Sequence, residues 1–296
     1  MRVVVAGASG LIGSALVPAL RAAGHDVVRL VRREPERPDE VGWSPAAGDL
    51  DQSALQSVDA IVNLSGENLG KRWTEARKRE IVDSRVKTTE LLARTAAALE
   101  PRPSVFAVAS AIGYYGDRGD EILTEESSAG AGFLTDVVRA WEDAADPARE
   151  AGVRVVHLRQ GIVLSKDGGA LKQMLLPFKL GVGGRVGSGR QWWSWVGLDD
   201  VVAAYASALT SDIDGAVNVT APNPTTNEQF TKALGSALRR PTILPAPGFG
   251  IRALFGEMGD TMLLGGQRVL PARLLDSGFA FAAPTIDVGL ERALAD

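Results

Sequence analysis

Apolar residues come along this chain in two alternating rhythms. "RVVVA", "DVVRLV", "DAIVN", "SVFAVAS" and "VRVVHLRQ" are short, nearly unbroken apolar runs, the pattern of strands buried on both faces. Between them the apolar positions recur at helical spacing. One helix is predicted from Leu11 to about Ala23, capped by Gly24, and a long charged one through "WTEARKREIVDSRVKTTELLARTAAAL". A third is predicted through "GFLTDVVRAWEDAADPAREAG", where Phe133, Leu134, Val137, Val138 and Trp141 share one face. Strand and helix in strict alternation predict an α/β chain: a doubly wound parallel sheet of Rossmann type, covered by helices on both faces.

After Gly161 the texture changes. "SKDGGALKQMLLPFKLGVGGRVGSGRQWWSWVG" is glycine-rich and holds three tryptophans; "DDVVAAYASAL" then restores a helix and "GAVNVTAP" a strand. From Pro222 the chain reads as mixed helices and loops, broken at "PAPGFG". Residues 1–164 and 200–220 are expected to form the nucleotide-binding domain, and 165–199 with 221–296 a smaller C-terminal substrate lobe.

Composition narrows the class. At 45% hydrophobic and 23% charged residues over 296 positions, a full core can be buried. A net charge of -4 argues against a nucleic-acid partner. Without cysteine there are no disulfides, thiolate metal sites or thiol nucleophiles, and a cytoplasmic setting is expected. The opening apolar run does not read as a signal peptide, because Gly7, Gly10 and Gly13 would break its helix. No later run is long enough to span a bilayer, so no membrane partner is expected, nor any metal.

Those three glycines carry the first chemistry. "VVVAGASGLIGSAL" sets G-x-x-G-x-x-G between a strand and a helix. Gly7 permits the tight turn, Gly10 lets a pyrophosphate approach the backbone, and Gly13 lets the helix pack closely. The phosphates then face free N–H groups at the helix N-terminus. NAD sites place an acid at the end of the second strand. Here that strand ends "RLVRRE": either two solvated arginines, or a guanidinium at Arg32 that receives the 2′-phosphate of NADP(H), the favoured reading.

With these residues in hand the chain resembles the extended short-chain dehydrogenase/reductases of the NAD-dependent epimerase/dehydratase type. It most resembles the subgroup called epimerase family protein, which ends in a small domain of unknown function. The marks are "GASGLIG", "VNLSGENL", "SRVKTT", "SAIGYYG", "GSGRQWWSWV", "LDDVV" and "GQRVLPARLLDSGFAF", spread over nearly the whole chain. The resemblance implies a cofactor site of Gly7, Ser9, Gly10, Leu11, Ile12 and Gly13 at the turn, with Val31 and Arg32 at the second strand. It adds Leu64, Ser65 and Gly66 after "AIVN", Glu80 and Arg85 on the long helix, Ala109 and Ser110 near the nicotinamide, and Ile162. Taken alone, Arg85 would read as a surface charge.

Members of this superfamily move a proton with Ser or Thr, Tyr and Lys. Aligned on "YYG" and "RAWE", those three roles fall to Ala111, Leu134 and Val138, none of which can ionise or donate, and no Y-x-x-x-K occurs in the chain. Substitutes could be Tyr114 or Tyr115, for which packing is an equally good reading. Further candidates are Glu67, Lys71 and Arg72, and Lys172, Gln173, Arg190 and Gln191 in the lobe. Trp192, Trp193 and Trp195 read as packing; His25 and His157 have no partner spacing and receive no chemistry. Two readings stand. One is an NADP(H)-dependent epimerase or oxidoreductase with a nonstandard site, acting on a small-molecule or nucleotide-linked substrate; the segment "GSGRQ", which resembles a substrate-contacting stretch of nucleotide-sugar enzymes, favours it. The other is a non-catalytic NADP(H)-binding sensor or scaffold, favoured by the missing relay. Monomer and homodimer are both compatible with the sequence.

Overall fold

Five of the apolar runs form the centre of one sheet in a computed structural model that describes residues 1–295. In chain order come β1 (Arg2–Ala6), α1 (Leu11–Ala22), β2 (Asp26–Val31), β3 (Glu40–Ser44), β4 (Asp49–Leu50) and β5 (Ala60–Asn63). They are followed by α2 (Glu75–Ala98), β6 (Val105–Ala111), β7 (Ile122–Leu123), α3 (Phe133–Asp143), α4 (Asp146–Glu150) and β8 (Arg154–Gln160). Next are β9 (Ile162–Leu164), α5 (Gly169–Lys179), β10 (Trp192–Trp193), β11 (Trp195–Gly197), α6 (Leu198–Thr210) and β12 (Gly215–Val219). The eight-stranded sheet runs β12-β8-β6-β5-β1-β2-β3-β4, parallel throughout except for β4 at the edge.

Alternation along β1 explains the two layers. Val3 and Val5 pack with Leu16 and Leu20 of α1 and Val201 and Tyr205 of α6 on one face. Val4 and Ala6 pack with Leu92 and Ala96 of α2 and Trp141 of α3 on the other. Both faces are therefore apolar, as the unbroken runs require. The end of α1 is a Schellman motif: Gly24 takes φ +84°, and the His25 and Gly24 amides donate to Leu20 and Arg21.

Two departures from the sequence reading have simple causes. β3 had no apolar run to reveal it; within "EVGWS" only Glu40 and Trp43 are buried. The helix expected over 132–152 is two helices, α3 and α4, because Pro147 lacks an amide hydrogen and its ring crowds the preceding turn.

The remaining elements are β13 (Thr225–Thr226), α7 (Asn227–Leu238), α8 (Gly248–Phe255), α9 (Glu257–Gly259), a π-helical turn over Asp260–Leu264, β14 (Arg268–Val269), α10 (Ala272–Asp276) and α11 (Ile286–Leu294). Pairings of two or three residues tie the parts together: β7 with β14 of the tail, β9 with β11 of the excursion, and β10 of the excursion with β13 of the tail. Trp195, Phe230, Leu234 and Leu290 fill a separate core beneath them. This part reaches the carboxyl ends of the sheet strands: a methyl added at Gly168, just before α5, would stand 3.0 Å from a methyl of Leu11. Among the described residues no helix is long and apolar enough to cross a membrane.

Candidate functional site

Strand order reverses between β1 and β5, since β2 lies on one side of β1 and β5 on the other. In open α/β sheets the crevice at such a point receives the ligand. The two loops that flank it are Gly7–Gly10 and Leu64–Gly66, and they touch. A methyl at Gly7 (φ +78°) would stand 2.8 Å from the Leu64 carbonyl carbon. A methyl at Gly13 would stand 2.4 Å from the Gly7 oxygen, so α1 reaches the turn only because residue 13 has no side chain. At Gly10 a methyl would meet only the Gly7 oxygen, at 3.3 Å; elsewhere the space is open. Ser9 and Gly10 are exposed, and no side chain caps α1. Leu11 touches the loop before α5, and Ile12 packs into the core beneath. The cradle fits a dinucleotide pyrophosphate.

At the end of β2, Val31 is half-buried and Arg32 exposed. Arg32 makes no side-chain hydrogen bond or ion pair among the described residues. Its neighbour Arg33 is held by Glu40 at 2.8 Å and therefore does not share Arg32's freedom. Glu40 itself is buried and takes Arg29 at 2.9 Å and the Glu36 amide at 2.9 Å as well. That backbone bond, then the arginines, hold its carboxyl below the ordinary range against the opposing cost of burial.

Beyond β5, Asn63 shapes the second loop. Its amide donates to Thr89 at 2.9 Å while its oxygen accepts the Ser65 amide at 3.0 Å. Arg85 of α2 lies under Gly66, donating to the Ile81 and Glu67 carbonyls at 3.1 Å each and resting 5.0 Å from the Trp141 ring. No carboxylate bonds it directly; burial pulls its pKa down to about 10, so it keeps its charge. A buried guanidinium with spare donors behind the loop suits an anionic ligand. Glu80 points elsewhere, to Arg77 at 2.9 Å, and Arg77 also grips Glu67 at 2.8 Å. Glu80 thus bears on the loop through Arg77.

Leu134 and Val138, expected at the relay positions, both pack as apolar side chains. Leu134 covers Gly113, and Val138 is 2% exposed. Ser110 is turned to α3, donating to Glu142 at 2.5 Å, so its hydroxyl is committed within the protein, and Ala109 is buried beside it on β6. Tyr115 is fully buried; its hydroxyl donates to Asn218 at 2.7 Å and accepts from Arg159 at 3.2 Å. Burial, the largest influence, raises its pKa. Tyr115 is a packing residue, not an acid–base candidate. Tyr114 differs: it is half-buried, its hydroxyl has no partner among the described residues, and its ring lies 3.4 Å beneath the Arg159 guanidinium.

No local pattern of residues marks what organises this quarter. Arg159 of β8 bonds both Glu142 oxygens, at 2.8 and 2.7 Å, with 5% and 12% of the two side chains exposed. Burial works against the charge of both; their mutual bonds outweigh it and keep Glu142 low and Arg159 high. The pair lies 17 residues apart on different elements, a spacing with no local signature.

Other candidates are spent on structure. Gln191 donates to the Val186 and Leu263 carbonyls, at 3.0 and 2.8 Å. Arg72 donates to the Ala253 carbonyl at 3.2 Å, and Lys172 to the Asp167 carbonyl at 3.1 Å. Gln173 sits against Gly70. Lys71 and Arg190 are exposed. Trp193 and Trp195 are buried packing, Trp192 bonds Asp120 at 2.7 Å, and Ile162 pairs with Trp195 between β9 and β11. His157 accepts from Arg149 at 3.1 Å and is kept neutral. Among the described residues no cluster could hold a metal ion.

Comparison with known proteins shows the family and the fold. The model of the NAD dependent epimerase/dehydratase family matches residues 3–220, and that of a domain of unknown function matches 246–293. An epimerase family protein of Mycobacterium tuberculosis is 47% identical over 97% of this chain and 96% of its own. The crystal structure of human epimerase family protein SDR39U1 with NADPH superposes with a TM-score of 0.89 at 35% identity, covering 99% of both chains. A nucleoside-diphosphate sugar epimerase from Corynebacterium glutamicum gives 0.82 at 36% identity, covering 99% of this chain and 58% of that longer one.

Proposed function

The chain belongs to the NAD-dependent epimerase/dehydratase family, and from that premise we propose that it binds NADP(H) at the β1/β5 crevice and exchanges hydride with a small or nucleotide-linked substrate without the Ser-Tyr-Lys relay. The observation that carries the cofactor choice is Arg32, exposed and unpartnered at the end of β2. A 2′-phosphate there gains a charge-assisted bond. A bare ribose hydroxyl would have to compete with Arg29 and Arg33 for Glu40. The human relative crystallised with NADPH supports the same choice, and the Corynebacterium relative's description supports a nucleotide-linked substrate.

When bound, the nicotinamide supplies the hydride chemistry. The chain's own part is binding and shielding. Gly7, Gly10 and Gly13 admit the pyrophosphate, and Arg85 adds charge behind Gly66. Leu134 and Val138 keep the wall beside the reacting centre dry and offer it no proton. Proton exchange at a substrate oxygen is assigned to Tyr114, whose hydroxyl is uncommitted while those of Ser110 and Tyr115 are bonded. Residues 165–199 and 221–296 form the substrate side of this reading.

A second reading, an NADP(H)-holding sensor or scaffold, draws on the apolar relay positions. The two separate on nicotinamide absorbance, followed with NADPH and a panel of carbonyl compounds and nucleotide sugars, in wild type and Tyr114→Phe. Oxidation by wild type that Tyr114→Phe loses, with NADPH binding unchanged, supports the enzyme. Tight binding with neither cofactor oxidation nor epimerisation of any nucleotide sugar in the panel supports the sensor.

A further inference from the structure

Exposed apolar side chains are concentrated on one part of the surface. Of ten large hydrophobic residues exposed among the described residues, seven fall in two segments: Leu176, Leu180 and Val182 in one, Ile243, Leu244, Phe249 and Leu254 in the other. The segments meet. Gly187 donates to Ala246 at 2.9 Å, Ala246 donates to Arg185 at 2.8 Å, and Gly184 has room for no side chain against the Leu244 carbonyl. The seven stand out from the surface at 56–83% exposure rather than lining a groove. A contiguous exposed apolar patch of this kind marks an interaction surface.

Charge is sorted onto the same segments. Residues 172–190 and 239–254 hold seven Lys and Arg and not one Asp or Glu, in a chain whose net charge is -4. Lys179, Arg190, Arg239 and Arg240 make no ion pair among the described residues. The face is therefore apolar at its tips and cationic around them.

We propose that this face docks on an anionic lipid bilayer, seating the Leu, Ile and Phe side chains among the headgroups with the arginines and lysines on lipid phosphates. Charge decides against a second copy of the chain, because two such faces would set cation against cation. Shape decides against an apolar peptide, which needs a groove to lie in. The face belongs to the lobe read above as the substrate side, but none of the residues assigned to the cofactor lies in its two segments.

The test is flotation of the full chain with vesicles of phosphatidylcholine alone and of phosphatidylcholine mixed with phosphatidylglycerol. Wild type is expected to float with the anionic vesicles only, and less as salt rises. Phe249→Ser with Leu254→Ser, and separately Arg239→Glu with Arg240→Glu, change exposed side chains, so thermal unfolding should be unmoved. Each pair is expected to lower partitioning by roughly tenfold or more. Wild type that stays with the soluble fraction overturns the proposal. So does flotation that neither pair weakens, and so does a change of oligomeric state in these variants without vesicle binding, which would give the face to a second copy.

Discussion

Leu134 of α3 rests on Gly113 so closely that a methyl added at Gly113 would stand 3.2 Å from the Leu134 Cβ. Leu134 thus forms an apolar wall over the turn that follows β6. Its packing neighbours include Trp73 and Val137, and Met258 comes from the C-terminal part. Leu134→Ala, at a partly buried position, should cost about 2 kcal/mol in denaturant unfolding, the low end for such truncations. NADPH affinity should be unchanged. Intact stability with lost turnover would instead give Leu134 a chemical role.

Gly13→Ala should be far more harmful than its size suggests. The added methyl would lie 2.4 Å from the Gly7 oxygen and 2.6 Å from the Ala8 Cα, both backbone, so either α1 or the turn must move. Overpacking of this kind costs about 1–3 kcal/mol. Because the displaced groups are the phosphate cradle, NADPH binding should weaken together with stability. Calorimetric titration that finds wild-type affinity would mean the turn does not hold the cofactor.

The glycine turn and the parallel sheet were legible in the sequence because each has a local signature: three glycines in strand–turn–helix context, and unbroken apolar runs. The short pairings were not. A two-residue strand such as Trp192–Trp193 or Arg268–Val269 has no period to detect. Nor could residue type show that Arg33 would be claimed by Glu40 while its neighbour Arg32 stayed free. The helix break has a sign in Pro147, but the apolar face of α3 runs strongly up to it and masks that sign.

Glu142→Gln should destabilise the chain by about 3–5 kcal/mol, because it leaves the Arg159 guanidinium buried without a counter-charge. The double change Glu142→Leu with Arg159→Met should recover part of that loss, since it removes both desolvation costs. A single-variant cost below about 1 kcal/mol would show that the pair is not closed from water.

His157 should make stability fall in mild acid. Burial lowers its pKa from 6.5 to about 4, and it accepts a hydrogen bond from Arg149, which requires the neutral ring. In the unfolded chain it takes up a proton at higher pH than in the folded one. Its contribution is therefore fully present above about pH 6.5 and is lost as the pH falls towards 4, by about 3 kcal/mol in all. His157→Gln should flatten the unfolding free energy across that window. An unchanged slope would assign the acid loss to carboxylates such as Asp39, whose bond to Arg29 depresses its pKa and whose contribution goes only at lower pH.

Cofactor selection at the end of β2 is tested most directly by calorimetric titration of wild type, Arg32→Ala and Arg33→Ala with NADPH and with NADH. One charge-assisted bond to the 2′-phosphate contributes about 1.5–3 kcal/mol. Wild type should therefore prefer NADPH by roughly tenfold to a hundredfold. Arg32→Ala should lose most of that preference with NADH affinity unchanged. Arg33→Ala, which breaks the bond to Glu40, should leave the preference largely in place and lower stability instead. Equal affinity of the wild type for the two cofactors, or full preference surviving in Arg32→Ala, would contradict the placement of the phosphate at Arg32.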